Sequence, residues 1–310
     1  MNFQALFDTI QTLPLPADTQ RLFHGRGGLH PGCEAWTLDY YAPVWLLTSF
    51  APVDDADLGA IQTALQQRWA EIAPGQAFNL VFQHRDDTRA DTRLLAGTVP
   101  DPHIVTEHGA RFKVHLLRGF NHGLFLDMAQ GRQWVRQYAQ QHPGCKVLNL
   151  FAYTCGFSVA ALQGGAGQVI NVDMASGPLA IGQHNHQLNG LTQRASFLAH
   201  DIFSSWGKIN RNGPYDLIVA DPPSYQKGSF VAEKDYARLM RRLPDLLNPG
   251  GYAMLCLNSP KLGVNFLTDL MAAEAPTLQM VERVANPAAF ADVSSDRSLK
   301  VLVYRQHSSI

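Results

Sequence analysis

The chain has no long hydrophobic run. Its best apolar stretch, Ala42 to Val53, is interrupted and too short for a bilayer core of about 30 Å, and Met1 to Pro16 offers neither a basic n-region nor an unbroken apolar segment. No membrane span and no cleaved signal are expected. Cysteine is scarce and unpaired in spacing: Cys33, Cys145, Cys155 and Cys256 are scattered, which fits neither a zinc pattern nor the disulfide framework of a small secreted domain. A reducing cytoplasm suits such thiols. Charge of one sign is also missing, since 25 Lys and Arg against 26 Asp and Glu leave a formal charge of −1. The global positive field that many nucleic-acid binders use is therefore absent, and any polyanion must be met by a local patch.

Several chemical signatures are absent as well. No Gly-x-Gly-x-x-Gly follows an apolar run, so a pyrophosphate cradle of the nicotinamide-enzyme type is not expected. Gly25-Arg26-Gly27-Gly28 lacks the Gly-Lys-Ser/Thr ending of a phosphate loop and reads as a flexible connection. No Gly-x-Ser-x-Gly elbow occurs. His184 and His186 are two apart, point to different sides of a helix, and make a poor metal pair.

What is present is a long alternation of elements. At 310 residues the chain has room for one large α/β domain and a smaller one, a domain usually taking roughly 100 to 200 residues. Glu34 to Tyr41 and Val44 to Phe50 are rich in strand formers, and Phe78 to Phe82 is a third such run. Between them Leu58, Ile61, Leu65, Trp69 and Ile72 recur at helical steps behind Asp54, Asp55 and Asp57, which favour a helix N-terminus. His84 to Asp101 is polar and aperiodic and reads as a linker, with a boundary near residue 100. Beyond Ile104, strand runs alternate with helical segments, as in a parallel sheet with crossover helices. The seven runs are Lys146 to Phe151, Gln168 to Val172, Ala195 to Ala199, Tyr215 to Ala220, Tyr252 to Leu257, Leu278 to Val284 and Leu299 to Tyr304.

In such a sheet a ligand sits outside the carboxyl ends of the strands. Phe151 to Phe157 is the turn after the first run, with Gly156 as its only glycine. Asp173 ends the second run, where a carboxylate can accept from both hydroxyls of a ribose. Asp201, after the third, suits either an adenine amino group or a helix cap. Asp221-Pro222-Pro223-Ser224-Tyr225 is more specific: two prolines stiffen the backbone and remove two N–H donors, leaving carbonyl acceptors, and an aromatic ring follows that can stack on a planar base.

With Asn149 to Thr154, Val172-Asp173-Met174, Asn185 to Leu191, Asp221 to Tyr225, and Gly123 to Asp127 with Arg132, the chain from about Ile104 to Arg305 resembles the class I S-adenosylmethionine-dependent methyltransferases. Among them it is similar to the enzymes that methylate 23S ribosomal RNA at cytosine C5 or guanine N7. The resemblance implies a Rossmann-like, seven-stranded, mostly parallel sheet over residues 101–310. Residues 1–100 then form a small N-terminal α/β domain that helps hold substrate. It also implies S-adenosyl-L-methionine as cofactor, no metal, and ribosomal RNA as partner. Phe151, Ala152, Tyr153, Thr154 and Gly156 would surround the methionine part, and Asn149 would also bind the cofactor. Asp173 would meet the ribose and Asp201 the adenine, with Met174 and Ile202 also on the cofactor. Phe125, Asp127 and Arg132 would close the cleft. Cys155 departs from the Gly-Gly pattern of the family and adds a side chain beside the cofactor, with an expected loss of affinity.

The two chemistries need different residues. Methylation at cytosine C5 requires a thiolate adduct at C6. In the C5 enzymes that thiol lies seven residues past the Gly-Gly turn before the fifth strand, and the same count from Gly251 reaches Asn258. Cys256 lies deeper on the strand and reads as core. Guanine N7 carries a lone pair and no proton, so positioning is the main catalytic task. Asp221, Pro222, Pro223 and Tyr225 are the catalytic candidates, with Asn258 and Lys227 on the substrate side. Lys234, Arg238, Arg241, Arg242, Arg111, Lys113 and Arg118 are either RNA contacts or solvated faces. A methyltransferase acting on protein or a small molecule, a non-catalytic cofactor-binding module and a nicotinamide dehydrogenase remain as rivals.

Overall fold

The computed structural model describes residues 3–86, 89–223 and 230–307, together with the backbone of 225–226. Two compact units emerge: Met1–Asp127 with Pro287–Ser294, and Met128–Asn286 with Ser295–Ile310. The division thus falls at residue 127 rather than near residue 100.

The first unit contains α1 (Gln4–Thr12), β1 (Gln20–His24), β2 (Trp36–Tyr41), β3 (Val44–Ser49), α2 (Asp55–Ile72), β4 (Asn79–Arg85), β5 (Ala90–Ala96), β6 (His103–Glu107) and β7 (Ala110–Val114). Strands β1 to β5 form one sheet in chain order, antiparallel except for β3 and β4, which are parallel and joined through α2. Strand periodicity sends Trp36, Leu38, Tyr40, Trp45, Leu47, Leu80 and Phe82 into a core shared with Leu58, Ile61, Leu65 and Trp69 of α2. Asp54 caps that helix, its carboxylate accepting from the Asp57 N–H at 2.7 Å. Strand β5 lies inside the segment expected to be a linker. It is an edge strand with mostly solvated side chains, Arg93 and Asp91 among them, so the apolar signature of a buried strand is missing.

The other face of this sheet is polar and still largely buried. Arg21 makes a bidentate pair with Asp39 at 2.7 and 2.9 Å. His122, 6% exposed, lies 2.9 Å from an Arg85 guanidinium nitrogen through Nε2 and 3.0 Å from the His115 carbonyl through Nδ1. Only the neutral tautomer with its proton on Nδ1 satisfies both contacts. Gly25-Arg26-Gly27-Gly28, expected to be a flexible connection, is a packed turn. A Cβ on Gly25 would lie 1.8 Å from the Cys33 carbonyl oxygen, and one on Gly27 2.1 Å from that of Ala291. The segment 287–294 is fastened there by the Val293 N–H donating to the Gly27 carbonyl at 2.9 Å and by Arg21 over the Phe290 ring at 4.5 Å.

The second unit contains α3 (Ala129–Gln141), β8 (Lys146–Leu150), α4 (Gly156–Gly164), β9 (Gln168–Asp173), α5 (Ser176–Leu188), β10 (Ala195–Ala199), α6 (Trp206–Asn212) and β11 (Tyr215–Ala220). The hairpin pair β12 (Tyr225–Gln226) and β13 (Phe230–Val231) follows, then α7 (Ala232–Met240), α8 (Leu243–Leu246), β14 (Leu247–Leu257), α9 (Val264–Glu274), β15 (Leu278–Val284) and β16 (Lys300–Gln306). Its sheet runs β10-β9-β8-β11-β14-β16-β15, with β16 antiparallel to both neighbours, so the expected seven-stranded, mostly parallel Rossmann-like architecture is present. Alternate residues feed two cores. Leu148, Leu150, Ile170, Val172, Ile218, Leu255 and Leu302 face one way, and Val147, Val169, Leu217, Val219, Met254 and Val301 the other. Strand β14 begins at Leu247, earlier than the expected Tyr252, with an irregularity between the residues opposite Tyr215 and Leu217. No helix among the described residues is long and apolar enough to cross a membrane.

Burial, and then the Arg85 charge, hold the His122 pKa down from the ordinary 6.5 to about 4. Protons then bind the unfolded chain first, so stability is full above the ordinary value and is lost as pH falls from there toward about 4. Urea unfolding between about pH 7 and about pH 4 should show His122→Gln losing less stability than the wild type, by up to about 3 kcal/mol. Equal losses in the two proteins would refute the assignment.

Candidate functional site

Four chain segments leave the second sheet at one level. Leu150 pairs with Val172 on one side and Ala220 on the other, and Ala220 pairs with Leu255. Phe151, Asp173 and Asp221 therefore emerge side by side, with Asn258 just beyond the end of β14. The chain runs outward from β8 through β9 to β10, then returns to β8's other side as β11. A doubly wound sheet opens a crevice at such a reversal.

The turn after β8 is conformationally unusual. Phe151, Tyr153 and Cys155, none of them glycine, have φ of 56°, 46° and 62°. Each such residue costs about 1–3 kcal/mol and persists only where its surroundings hold it. Here they do. The Asp173 carboxylate accepts from the Tyr153 N–H at 2.8 Å and from the Ala175 N–H at 2.8 Å, fastening the turn after β8 to the turn after β9. The Ala152 N–H donates to the Val172 carbonyl at 3.1 Å, and Asn185 donates its side-chain amide to the Thr154 carbonyl at 3.0 Å. The turn delivers the chain into α4, whose first residue, Gly156, lies under Arg132. A Cβ there would stand 3.1 Å from Arg132 Cδ. The guanidinium-bearing side chain and the partial positive charge of a helix N-terminus thus meet beside the crevice.

Cys155 does not project toward this crevice. Its side chain is fully buried with Ala152 and Leu179, packed against Gly182 of α5, where an added Cβ would lie 2.5 Å from the sulfur. The expected obstruction by Cys155 is corrected on that ground: its αL backbone turns the thiol inward, and a glycine opposite makes room. Burial, and then the charge of Asp173, push the thiol pKa well above its usual value.

Beneath the turn runs a buried polar chain. Asn149 donates to Asn171 Oδ1 at 2.9 Å, Asn171 donates to Ser158 Oγ at 3.1 Å, and Ser158 Oγ lies 2.8 Å from His186 Nε2. His186 Nδ1 lies 2.7 Å from the Gly182 carbonyl, and burial lowers the pKa of the ring. Asn149 is 1% exposed, so its amide binds the sheet to the helices rather than lining the crevice. Ala152 is buried too. Met174 is 47% exposed next to Asp173 and offers an apolar side chain at the rim. Asp201 accepts from the Ser204 N–H at 2.8 Å as a turn cap, while Ile202 is buried among Leu150, Val172 and Ile218. Asp201 alone of that pair is near the surface. Phe125, 41% exposed, and Asp127, whose charge acts on Arg21 and Tyr41, belong to the first unit, and Arg132 to the second.

On the far side of β8, Pro222 is buried and Asp221 partly exposed. Tyr236 of α7 is fully buried and donates its hydroxyl to the Cys256 carbonyl; burial, then Cys256 and Asp221, raise its pKa. Cys256 is 0% exposed within the core, and Asn258 is exposed. Ser224, Lys227 and the Tyr225 side chain lie outside the described residues, although the Tyr225 backbone pairs with Val231. Three of the expected basic contacts are matched by acids: Arg238 with Asp235 at 2.8 Å, Arg242 with Asp245 at 3.4 Å, and Arg241 with Glu274. Among the described residues no group of three or more His, Cys, Asp or Glu is arranged to hold a metal ion.

A family model described as S-adenosylmethionine-dependent methyltransferase matches residues 20–305. Ribosomal RNA large subunit methyltransferase I of Erwinia tasmaniensis is 30% identical over 268 residues, covering 84% of this chain and 66% of the relative. Ribosomal RNA large subunit methyltransferase K/L of a Psychrobacter species is 37% identical over 192 residues, covering 59% of this chain. This chain spans 23% of the length of that second relative. Two solved folds are similar. A Streptococcus mutans chain described as an S-adenosylmethionine-dependent methyltransferase has a TM-score of 0.81 at 23% identity, covering 98% of this chain and 82% of that one. The Methanocaldococcus jannaschii tRNA m1G37 methyltransferase has a TM-score of 0.60 at 14% identity, covering 88% and 72%.

The fit of Cys155 to Gly182 is open to a double-mutant cycle. Gly182→Ala should destabilise the wild-type chain by about 1–3 kcal/mol through overpacking. In a Cys155→Gly background the same change should cost less, by about 1 kcal/mol or more. Additive effects in chemical denaturation would show that the sulfur does not occupy that space.

Proposed function

Because this chain belongs to the S-adenosylmethionine-dependent methyltransferases, we propose that it is a cytoplasmic enzyme that methylates a base of 23S ribosomal RNA, with guanine N7 favoured over cytosine C5. One observation carries the preference between bases: all four cysteines of the chain are buried. A C5 mechanism needs a thiolate able to reach C6 of the pyrimidine. Cys256 is shut inside the sheet, and Cys155 is held protonated behind the turn after β8. A lone pair at guanine N7 needs no such partner. Relatives named as ribosomal RNA methyltransferases support the choice of RNA.

The groups at the crevice suit the cofactor by their chemistry. Arg132 and the N-terminus of α4 match its carboxylate, the Asp173 carboxylate its ribose diol, and the exposed Met174 side chain a face of its adenine, with Asp201 within the same rim. Phe151, Tyr153 and Gly156 are assigned to the wall between them, with Thr154 buried behind it. The second unit is taken as the cofactor-binding part and the first as the part that helps hold substrate. When bound, S-adenosylmethionine supplies an electrophilic methyl group on a sulfonium.

The protein's own task is placement. Asp221 accepts from the Watson–Crick edge of a guanine, an edge that carries N–H donors, while Pro222 and Pro223 keep the backbone at that point stiff and free of competing donors. Asn258 holds the base from the β14 side, and Tyr225 and Lys227, which follow Asp221 in the sequence, are assigned to stacking on the base and to substrate contact. These residues would fix the base so that guanine N7 faces the methyl group the cofactor supplies, and attack by its lone pair would need no proton to be moved. A paired target must first leave its stack, at a cost of a few kcal/mol, roughly 2–3.

Mapping of methyl groups in ribosomal RNA from cells with and without the protein tests the substrate: one guanine should lose its methyl group, and a missing C5-methylcytosine instead would overturn the preference. Asp221→Ala should keep cofactor binding and lose methyl transfer by about ten- to a hundredfold, the worth of one charged hydrogen bond. Asp173→Ala should instead weaken cofactor binding by about tenfold or more in calorimetry. Full transfer by Asp221→Ala with cofactor bound would remove Asp221 from the site.

A further inference from the structure

Lys300 is 0% exposed, although it carries an ammonium group, and it opens β16 opposite Leu257, the last residue of β14. Strand alternation puts its stem on the face of Leu302, so the charged head cannot reach water by snorkelling along the sheet. A buried lysine is rare and costly without partners. Its Nζ donates to the Ser259 carbonyl at 2.6 Å and to the Asp296 carbonyl at 2.6 Å. Both distances are at the short end for a charge-assisted bond.

These two carbonyls belong to different loops. Ser259 follows Asn258 in the turn leaving β14, and Asp296 precedes β16. The same turn is fastened again further on, where the Val264 N–H donates to Asp296 Oδ1 at 3.3 Å. Within the turn the Lys261 N–H donates to Ser259 Oγ at 3.3 Å. Asn258 to Gly263 is thus held at its start by Lys300 and at its end by the Asp296 side chain, and Lys300 also grips the Asp296 backbone. Asn258 itself stays exposed at the carboxyl edge of the sheet.

We propose that Lys300 is a positioning residue for the substrate turn: its buried ammonium sets the height and angle of Asn258 above the sheet, and so the placement of the target base. This rests on the reading of Asn258 as a base contact. Lys300 touches neither substrate nor cofactor. It acts through the Ser259 carbonyl, one peptide unit from Asn258. Because the cofactor groups lie on the turns after β8 and β9, two and three strands away from β14, they do not depend on this clamp.

The test compares Lys300→Met, Lys300→Arg, Asp296→Ala and Asn258→Ala in the full chain, with transcribed ribosomal RNA as substrate. For Lys300→Met the cofactor Kd should stay within about twofold of wild type while kcat for RNA falls about ten- to a hundredfold, as expected for a nucleophile displaced by a fraction of an ångström. Lys300→Arg, which restores the charge and its donors, should recover part of that loss. Wild-type kcat in a folded Lys300→Met protein, or a parallel loss of cofactor affinity, would overturn the proposal. Should Lys300→Met not fold, the exposed Asp296→Ala variant serves, with a smaller fall in kcat at unchanged cofactor Kd as the supporting result and unchanged kcat as the refuting one. Asn258→Ala separates the two readings. Normal turnover there removes Asn258 as a base contact, whereas a loss there with normal Lys300→Met turnover removes only Lys300.

Discussion

The Asp173 carboxylate is the constraint on which the crevice depends. It sits at the end of β9 and receives one N–H from the turn after β8 and one from the turn after its own strand. Three left-handed residues in five are a conformation that an isolated chain would abandon, since each costs about 1–3 kcal/mol. A charged acceptor on the neighbouring strand offsets that cost, because a hydrogen bond to an ionised group is worth about 1.5–3 kcal/mol. Each carboxylate oxygen still has a second lone pair, so the group that shapes the turn retains capacity for a ribose hydroxyl. Shape and ligand chemistry are therefore not separable at this residue, and its loss would be felt first in the turn itself.

The carboxyl edge of the sheet breaks the apolar pattern on both faces. On one, Val147 and Val169 give way to Asn149 and Asn171, which join Ser158 and His186. On the other, Leu302 gives way to Lys300. At the opposite end Asp216 of β11 accepts from the Lys146 N–H at 2.8 Å and from the Asn248 side-chain amide at 2.7 Å. Buried polar groups contribute little net stability, and an unpaired one costs about 1–3 kcal/mol. They restrict geometry instead, since a hydrogen bond specifies direction where aliphatic contact does not. Both ends of the strands are thus held by directional bonds, and their middles by non-directional packing.

Most strands of the second unit were legible because each carries a short aliphatic run, buried on both faces and bounded by turn residues; the edge strands β10 and β15 are more exposed and were read from their strand-forming residues. The seven runs emerge within a residue or two, apart from β14, whose start is disguised by Asn248, Pro249 and the two glycines after them. Strand β5 was illegible for the converse reason: an edge strand wetted on one side has no need of apolar residues. Asp173, Asp221 and Gly156 could be picked out from their places after strand runs. Asn149 could not be assigned correctly by place alone, because its neighbour Asn171 takes its amide, and pairing across strands is not written in either strand. Cys155 misleads for a related reason. A side chain's direction at a left-handed residue follows from φ, and the accommodating Gly182 lies on another element. Lys300 left a signal that alternation could have caught: a lysine in Leu299-Lys300-Val301-Leu302, inward in phase with Leu302, is either exposed at a strand end or buried with partners.

The charge balance constrains how RNA can be recognised on the proposed reading. Nucleic-acid binders that depend on phosphate neutralisation gather unpaired cations, and their affinity then falls steeply with salt. Here the arginines of α7 and its C-terminal turn are matched to Asp235, Asp245 and Glu274, and Arg238 also lies over the Phe203 ring at 4.2 Å. Such pairs leave little net field for a distant phosphate to sense. Discrimination must then come from contacts at the base itself, in a crevice whose edge is stiffened by Pro222 and Pro223 and fastened by buried hydrogen bonds. A rigid site of this kind loses affinity quickly when the wrong base is presented, because its polar groups are left unpaired. The formal charge of −1 is therefore compatible with a nucleic-acid substrate when selection rests on fit at one nucleotide rather than on attraction along a strand.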